Sequence, residues 1–593
     1  MMHPVVRRRA PTGAFHAWVF RTPPIEPGPV YKEVAMFQKT VVSRRTFVAG
    51  AAAAAGVAAA STLATAPVQA QAGEEAPSWL APAPGHTDAD CTETVDVDVL
   101  VVGAGCSGLP AAVTAAEEGA RVMLVDRMEQ GFGIRCSAVG AIDSSIQQEL
   151  GVTIDKMDIL NDIARYADGQ CDMRIWKMWA DESGEAVSWY IDHCNQSGAV
   201  YVENEYNMPE NTRYACWPTG HASLGVEMKW AAEHAMLDYF INYLESFDGC
   251  EHRGTTKLDE LIVEDGKVVG AYLATGDDFE DVIRVNAAKG VVVATGGYVL
   301  NSEMLQDLQP ETFKGLASFF TQSQVYGEGI QACMNAGAKF EETHTSLVFD
   351  RGAVHPDVEL GNPFSGNAGQ NCLQSQPFLK VNQYGERFCN ESSPYDYVFH
   401  AASKFPNRAW YPIWDANFLS DVDRFHTVGC STQLLREGGD HLMGNPPEAV
   451  VDSVEAAVEE GTCIKANTIE ELAEGLGLPA DALVATVARY NELCDAGYDE
   501  DFGKDAFRLS AVKEPPFYGL KLGGNALCTF DGIEITPDCE ARGTNGEVIE
   551  GLYVVGNDAG NKYNKTYPNF AAGLNAGLCV TMGRHVGKLI ASK

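Results

Sequence analysis

Residues 99–126 read VLVVGAGCSGLPAAVTAAEEGARVMLVD, and this stretch decides the fold. The apolar run Val99 to Val102 has the composition of a buried parallel strand. Gly103, Ala104, Gly105, Cys106, Ser107 and Gly108 follow as a G-x-G-x-x-G turn. Pro110 to Gly119 reads as a helix of small residues, Arg121 to Val125 as a second, mostly apolar strand, and Asp126 closes it with an acid. Gly103 permits the tight turn, Gly105 lets backbone approach a pyrophosphate, and Gly108 lets helix pack on strand. The helix N-terminus then faces phosphate charge, and Asp126 is placed to bond a ribose hydroxyl. A lone glycine turn is weak evidence. Two flanking strands and an acid 18 residues beyond Gly108 make the pattern specific for a dinucleotide-binding βαβ unit.

Downstream, Leu258 to Glu264, Lys267 to Ala274 and Val282 to Asn286 read as short strands, the first two joined by an Asp265-Gly266 turn. GVVVATGG, residues 290–297, is a buried strand ending in glycines, and GLYVVG, residues 551–556, repeats that pattern. Ligands of open α/β sheets sit at the carboxyl ends of strands, so both glycine ends suit the same ligand. Between them the chain turns loop-rich and aromatic, with a helical insert near 469–494, and residues 572–590 form a Gly- and Ala-rich helix candidate. The expected organisation is a nucleotide domain in two parts, 95–339 and 516–593, around an inserted cap, 340–515. Residues 71–94, rich in Pro, Ala and acids, are expected to be a flexible leader.

The N-terminus is of another kind. SRRTF at 43–47 precedes the Ala-rich, uncharged run Val48 to Ala66, and Val68-Gln69-Ala70 offers a small-x-small cleavage site. Residues 1–70 therefore resemble an N-terminal extension with a twin-arginine signal peptide, with Met36 as an alternative start. The expected location is extracytoplasmic, reached through the twin-arginine export machinery. An uncleaved membrane anchor is the lesser alternative, because bulky aliphatic residues are few.

The full chain of 593 residues carries 43 Lys and Arg against 81 Asp and Glu, a net charge of −38, which disfavours nucleic acid as a partner. Such a surface serves solubility, and it would also steer a basic redox partner. None of the 16 cysteines forms a C-x-x-C pair, so haem attachment and an ordinary cysteine-ligated cluster are not indicated, and no metal site is expected. Most are expected to lie in the core.

The stations VVGAGCSG, VVVATGG, GEGIQACMNAGA (327–338), GERFCNE (385–391) and GLYVVGN (551–557) occur in one order. Together, over about residues 95–593, they resemble the FAD-dependent fumarate reductase/succinate dehydrogenase flavoprotein superfamily. The resemblance implies an α/β fold: a Rossmann-like, discontinuous FAD-binding domain with an inserted α+β cap domain that holds substrate. It implies FAD as cofactor, its adenosine end on Asp126. By motif it implicates Gly103, Ala104, Gly105, Ser107, Gly108, Asp126, Arg127, Ser137, Val263, Gly296, Glu328, Asn557 and Asp558. No second dinucleotide fingerprint is present, so NAD(P) is not expected to dock.

Two branches diverge at the substrate. The fumarate reductase branch pairs a dicarboxylate with His and Arg. Its His-Thr-x-Gly-Gly station reads CTFDG here (528–532), and its Arg-bearing C-terminal station reads YPNFAAGLNAG (567–577), without Arg. The position after IWDANF (413–418) also lacks that branch's proton-donating Arg. A pocket without those cations pairs two carboxylates poorly. The 3-ketosteroid dehydrogenase branch fits better. Residues 390–395 read NESSPY, and Gly556-Asn557 is followed by KTYP with Tyr567. That likeness implies Tyr395 as the proton-transfer tyrosine and Tyr567 as hydrogen-bond donor to a ketone oxygen. A backbone N–H of Gly573 or Ala571 would complete the oxyanion site. For a third family tyrosine, Tyr206 and Tyr214 are the candidates.

A phenol of ordinary pKa ~10 is a poor base, so Tyr395 would need a depressed pKa or a relay. Arg387, Glu391 and Tyr395 stand four apart and would share a face if helical, although the GERF turn opposes a full helix. The expected activity is hydrogen exchange across a C–C bond beside a carbonyl, by hydride transfer at flavin N5, in an apolar enone such as a 3-ketosteroid, in either direction. An external electron carrier, a cytochrome or quinone-linked protein, is the expected partner. One alternative is a reductase of an unsaturated acid such as urocanate or a cinnamate, with Arg351, Arg408 or His400 supplying charge. Another is an exported flavin carrier without catalysis.

Overall fold

The row Val554, Val293, Val102, Val125 and Arg253 runs across one sheet, each residue paired in register with the next. These residues come from four distant parts of the chain, and each stands at or beside the carboxyl end of a parallel strand. The strands are Val548–Val554, Asp281–Val293, Cys91–Val102, Val122–Val125 and Glu251–Arg253, with Glu540–Arg542 antiparallel at the edge. The hairpin Thr256–Glu264 and Lys267–Thr275 attaches through Asp281–Val293. In this computed structural model the described residues are 77–135, 138–205, 217–225, 232–321, 323–366, 368–369, 373, 375–425, 427, 434 and 445–593. Residues 78–593 form one compact unit.

The central strands are buried, with Val99 to Val102 and Val122 to Val125 at 2% exposure or less. Helix Gly108–Glu117 and the C-terminal helix Leu574–Ser592 pack on the sheet and on each other. Small residues allow this closeness. A Cβ on Gly583 would lie 2.2 Å from Ser107 O, and one on Gly587 would lie 2.7 Å from Thr114 Cβ. The strands expected at 282–286 and 290–297 are one strand, Asp281–Val293.

A second sheet of seven strands is organised by Phe517–Thr529. That strand pairs with Ser346–Val354, Tyr411–Trp414, Cys463–Ala466 and Leu316–Phe319, while Ala368–Gly369 and Leu379–Val381 extend the edges. Leu316–Phe319 and Phe517–Thr529 were expected in the nucleotide-domain halves; they pair in this second sheet instead. Their apolar runs carry no mark of which sheet they join, and only pairing decides it. The helical insert is two helices, Ile469–Leu476 and Ala480–Ala496, broken at left-handed Gly477.

Residues 78–94 are not a free leader. Trp79 is 8% exposed and its Nε1 donates to Asp307 at 2.8 Å, Ser78 N donates to Glu303 at 2.9 Å, and the first strand already begins at Cys91. Burial of the indole outweighs the polar composition around it. The expected signal segment, residues 1–70, lies outside the described residues. Among the described cysteines, Cys171, Cys194, Cys333, Cys463, Cys528, Cys539 and Cys579 are buried.

Candidate functional site

The glycine turn follows directly from the strand register. Gly103 N–H donates to Val125 O at 2.7 Å, which closes the turn between two parallel strands. At φ +108° a Cβ on Gly103 would lie 2.2 Å from Ala294 O, and a Cβ on Gly108 would lie 1.7 Å from Gly103 O. Gly105 differs: nothing of the protein lies within 4 Å of where its Cβ would be. Open space over the middle glycine, at the N-terminus of a buried helix, is the shape a pyrophosphate fills.

Asp126 holds this loop. Its Oδ2 accepts from Ala104 N–H and its Oδ1 from Met128 N–H, each at 2.7 Å. Burial raises its pKa, and a carboxylate retains lone pairs for a ribose hydroxyl. Arg127 lies between the rings of Phe279 and Tyr326, 4.9 Å from each centroid, and its Nη1 bonds Glu328 at 3.2 Å. Arg127 Nε and Glu328 Oε2 are buried without partners among the described residues. An unmatched buried donor and acceptor are costly, and a polar ligand edge there would satisfy both. The residues present therefore fit FAD. Its adenosine end would lie by Asp126, Arg127 and Glu328, and its pyrophosphate over Gly105 and Ser107.

Asp558 joins two of the glycine turns through its carboxylate. Its carboxylate is fully buried and accepts from Thr295 N–H, from Thr295 Oγ1 at 2.9 Å, from Gly296 N–H at 3.1 Å and from Gly297 N–H at 2.8 Å. It thus braces the second glycine turn against the third. Gly556, φ +67°, closes on the first turn, since a Cβ there would lie 2.4 Å from Ser107 Oγ. Val263 does not join this site. It is 43% exposed beside the Asp265-Gly266 hairpin turn, whereas Thr256, at the other end of its strand, bonds Asp126 O at 2.8 Å. Seven residues of strand put Val263 on the order of 20 Å away. The motif was matched to the wrong end of the strand. Ser137, Tyr206 and Tyr214 lie outside the described residues.

The tyrosines come together with an aromatic wall. Tyr395 begins the helix Tyr395–Ala402, is 7% exposed, and meets Phe349 edge to face at 4.8 Å. Tyr567 is 6% exposed, stacks on Phe530 at 5.2 Å and meets Tyr563 at 5.8 Å. Asn575 N–H, in the first turn of Leu574–Ser592, donates to Tyr567 Oη at 3.2 Å. Of the two backbone candidates, Ala571 N–H already donates to Pro568 O at 3.1 Å. Gly573 is the one that opens the helix, at φ +69°, and a Cβ there would lie 2.0 Å from Ala138 O. The helix N-terminus favours negative charge at this spot.

The Arg387–Glu391–Tyr395 relay does not form. Residues 387–394 are not helical, and Arg387 grips Glu391 at 2.8 Å and Asp499 at 2.7 Å, all three buried. Lys504, also buried, lies 3.6 Å from Glu391. The cluster clamps the NESSPY loop onto the 499–504 loop. Tyr395 instead has Asp396 beside it, whose Oδ2 accepts Tyr567 N–H at 2.9 Å. Burial pushes the Asp396 carboxyl up to about 7.

Cys528, at the station where fumarate reductases carry His, is a neutral thiol that burial pushes up to about 12. Of the alternative cations, Arg408 bonds Glu311 at 2.6 Å and burial lowers the pKa of His400. Arg351 is buried and lies 4.4 Å from the Phe349 centroid. Sequence reasoning missed Asn575, Asp396, Tyr563 and Phe349. The first three adjoin the matched motifs, which was the available signal; Phe349 had none.

The chain matches the FAD binding domain family model over residues 98–574 and belongs to that family, as an FAD-dependent oxidoreductase of the fumarate reductase/succinate dehydrogenase flavoprotein type that acts on CH–CH groups. It is 28% identical over 494 residues to a vinyl phenol reductase of Lactiplantibacillus plantarum, covering 83% of this chain and 95% of that protein. It is 30% identical over 346 residues to a 3-oxosteroid 1-dehydrogenase of Mycolicibacterium smegmatis, covering 53% of this chain and 54% of the relative. A 3-ketosteroid Δ1-dehydrogenase from Sterolibacterium denitrificans, solved with 1,4-androstadiene-3,17-dione, shares the fold: TM-score 0.64, 18% identity, 84% of this chain and 99% of that one.

Proposed function

We propose that this flavoenzyme moves hydrogen across a C–C bond conjugated to a carbonyl, in a neutral, largely apolar ketone such as a 3-ketosteroid or similar enone. The observation that carries this reading is the Tyr567 hydroxyl at the N-terminus of Leu574–Ser592, its oxygen accepting Asn575 N–H. When bound, FAD supplies the two-electron hydride exchange at its N5 atom. Tyr567 donates to the ketone oxygen, and Gly573 N–H is the second donor to the negative charge that develops there. One such donor is worth ~10²-fold or more in rate. Tyr395 gives or takes the proton on the carbon next to the carbonyl. Phe349, Phe530 and Tyr563 exclude water and suit a flat apolar body.

One observation favours a second reading. The buried Arg351 guanidinium lies one aromatic ring from Tyr395 and would pair an unsaturated carboxylate. The names of the relatives span a vinyl phenol, an oxosteroid and urocanate.

For the whole protein, the 43–70 segment supports export by the twin-arginine route to the extracytoplasmic face. The lack of an NAD(P) fingerprint supports an external cytochrome or quinone-linked electron carrier.

The test is anaerobic. The bound FAD is reduced chemically, and a 3-ketosteroid enone, 4-vinylphenol, fumarate, urocanate and a cinnamate are added in turn while its absorbance is followed. Fast re-oxidation by the steroid, lost by orders of magnitude in Tyr567→Phe and Tyr395→Phe with FAD retained, supports the ketone reading. Fast re-oxidation by an acid alone, lost in Arg351→Gln, replaces it with the second. Wild-type rates in both tyrosine variants would sink the tyrosine site.

A further inference from the structure

Three hydrogen bonds meet on Asn575. Its backbone N–H donates to Tyr567 Oη at 3.2 Å, its side-chain Nδ2 donates to Asn557 Oδ1 at 3.0 Å, and its Oδ1 accepts the Tyr563 hydroxyl at 3.2 Å. We infer that Asn575 is a positioning residue that couples the cofactor side of the site to its substrate side. It holds the Asn557 amide with its side chain and the Tyr567 oxygen with its backbone. The inference rests on the proposed reading of Asn557 as an FAD contact and Tyr567 as the ketone donor.

The physical content lies in which atom Asn557 presents. With its oxygen held by Asn575 Nδ2, Asn557 carries its N–H groups on the other branch of the amide, which its reading as an FAD contact puts on the cofactor side. N–H groups there favour the electron-rich reduced form of the flavin over the oxidised form. Asn575→Asp has no N–H to offer Asn557 Oδ1. Two facing oxygens repel, so the Asn557 amide turns over and presents oxygen where N–H stood. The backbone N–H of residue 575 survives the substitution, so Tyr567 keeps its partner. An asparagine that merely filled space would change stability and leave the flavin potential alone.

The experiment measures the midpoint potential of the FAD-loaded full-length protein by dye-referenced spectrophotometric titration. In Asn575→Asp the equilibrium is expected to shift at least tenfold toward oxidised FAD, about 30 mV for a two-electron couple. Asn575→Ala, which releases Asn557 and the Tyr563 hydroxyl without turning the Asn557 amide over, is expected to shift it less. Tyr563→Phe removes the hydroxyl that orients the Asn575 amide and is expected to shift it in the same direction; it serves if the Asn575 variants do not fold. A potential within threefold of wild type in every folded variant overturns the inference. Tyr567→Phe, assayed alongside, separates the two readings. Lost turnover there with unmoved potentials overturns the inference alone. Shifted potentials with wild-type Tyr567→Phe turnover overturn the substrate-side half and the tyrosine site, and support the cofactor-side half.

Discussion

Asp396 Oδ2 accepts the backbone N–H of Tyr567 at 2.9 Å, so the residue beside one candidate tyrosine holds the main chain of the other. The two lie 171 positions apart in sequence. Asp396 is 1% exposed, and its Oδ1 has no partner among the described residues. Asp396→Ala leaves a buried N–H unsatisfied, which costs about 1–3 kcal/mol. It is expected to lower kcat tenfold or more with FAD bound. Asp396→Asn keeps the acceptor and is expected to retain most of kcat. Equal loss in both variants would show that the charge, rather than the contact, matters.

Two buried carboxyls set the pH dependence of stability. Burial pushes Glu341 up to about 8 and Asp396 up to about 7. A raised carboxyl favours the folded state in its protonated form. That contribution is complete below the ordinary carboxylate range near pH 4, and it is lost as pH rises through 7 and 8. The thermal midpoint is expected to fall between pH 5 and 8, less steeply in Glu341→Gln and in Asp396→Asn. Asp499 works in the opposite sense. It is held at about 2, so its stabilisation is present above pH 4 and lost as pH falls toward 2. Parallel wild-type and variant slopes between pH 5 and 8 would refute the assignment.

The glycines of the first turn separate folding from cofactor binding. A side chain at Gly108 meets Gly103 O, so Gly108→Val is expected to misfold, read as loss of soluble protein. A Cβ at Gly105 would meet no protein atom within 4 Å beyond its chain neighbours, so Gly105→Val is expected to fold and to bind FAD at least 100-fold more weakly, by flavin fluorescence. Full FAD occupancy in Gly105→Val would displace the pyrophosphate from this turn.

The Arg387 clamp is expected to be structural. Arg387→Ala takes the guanidinium from buried Asp499 and leaves Glu391 with Lys504 alone, and it is expected to cost about 3–5 kcal/mol in denaturant unfolding. Turnover per bound FAD is expected to stay within a few-fold of wild type at a temperature where the variant is folded. A loss there as large as in Tyr395→Phe would restore the relay.

The FAD-binding end was legible because its requirements are local. A turn between parallel strands needs glycine at fixed offsets, and a ribose-binding acid must follow the second strand, so residues 99–126 contain the whole argument. The two tyrosines were legible as motif neighbours, but their relation was not. Val263 shows the same limit from the other side: its strand was read correctly, yet which end of that strand reaches Asp126 is set by pairing between distant segments. What the sequence by itself determined is a dinucleotide-binding α/β chain, and the residue types that stand at its candidate substrate stations. Only the tertiary structure decided that Phe517–Thr529 joins the cap sheet, that Arg387 turns to Asp499, and that Asn575 links Asn557 to Tyr567. The physical reason is that a hydrogen bond between residues far apart in the chain leaves no period or spacing in the sequence. It exists only once the packed sheets bring donor and acceptor within reach.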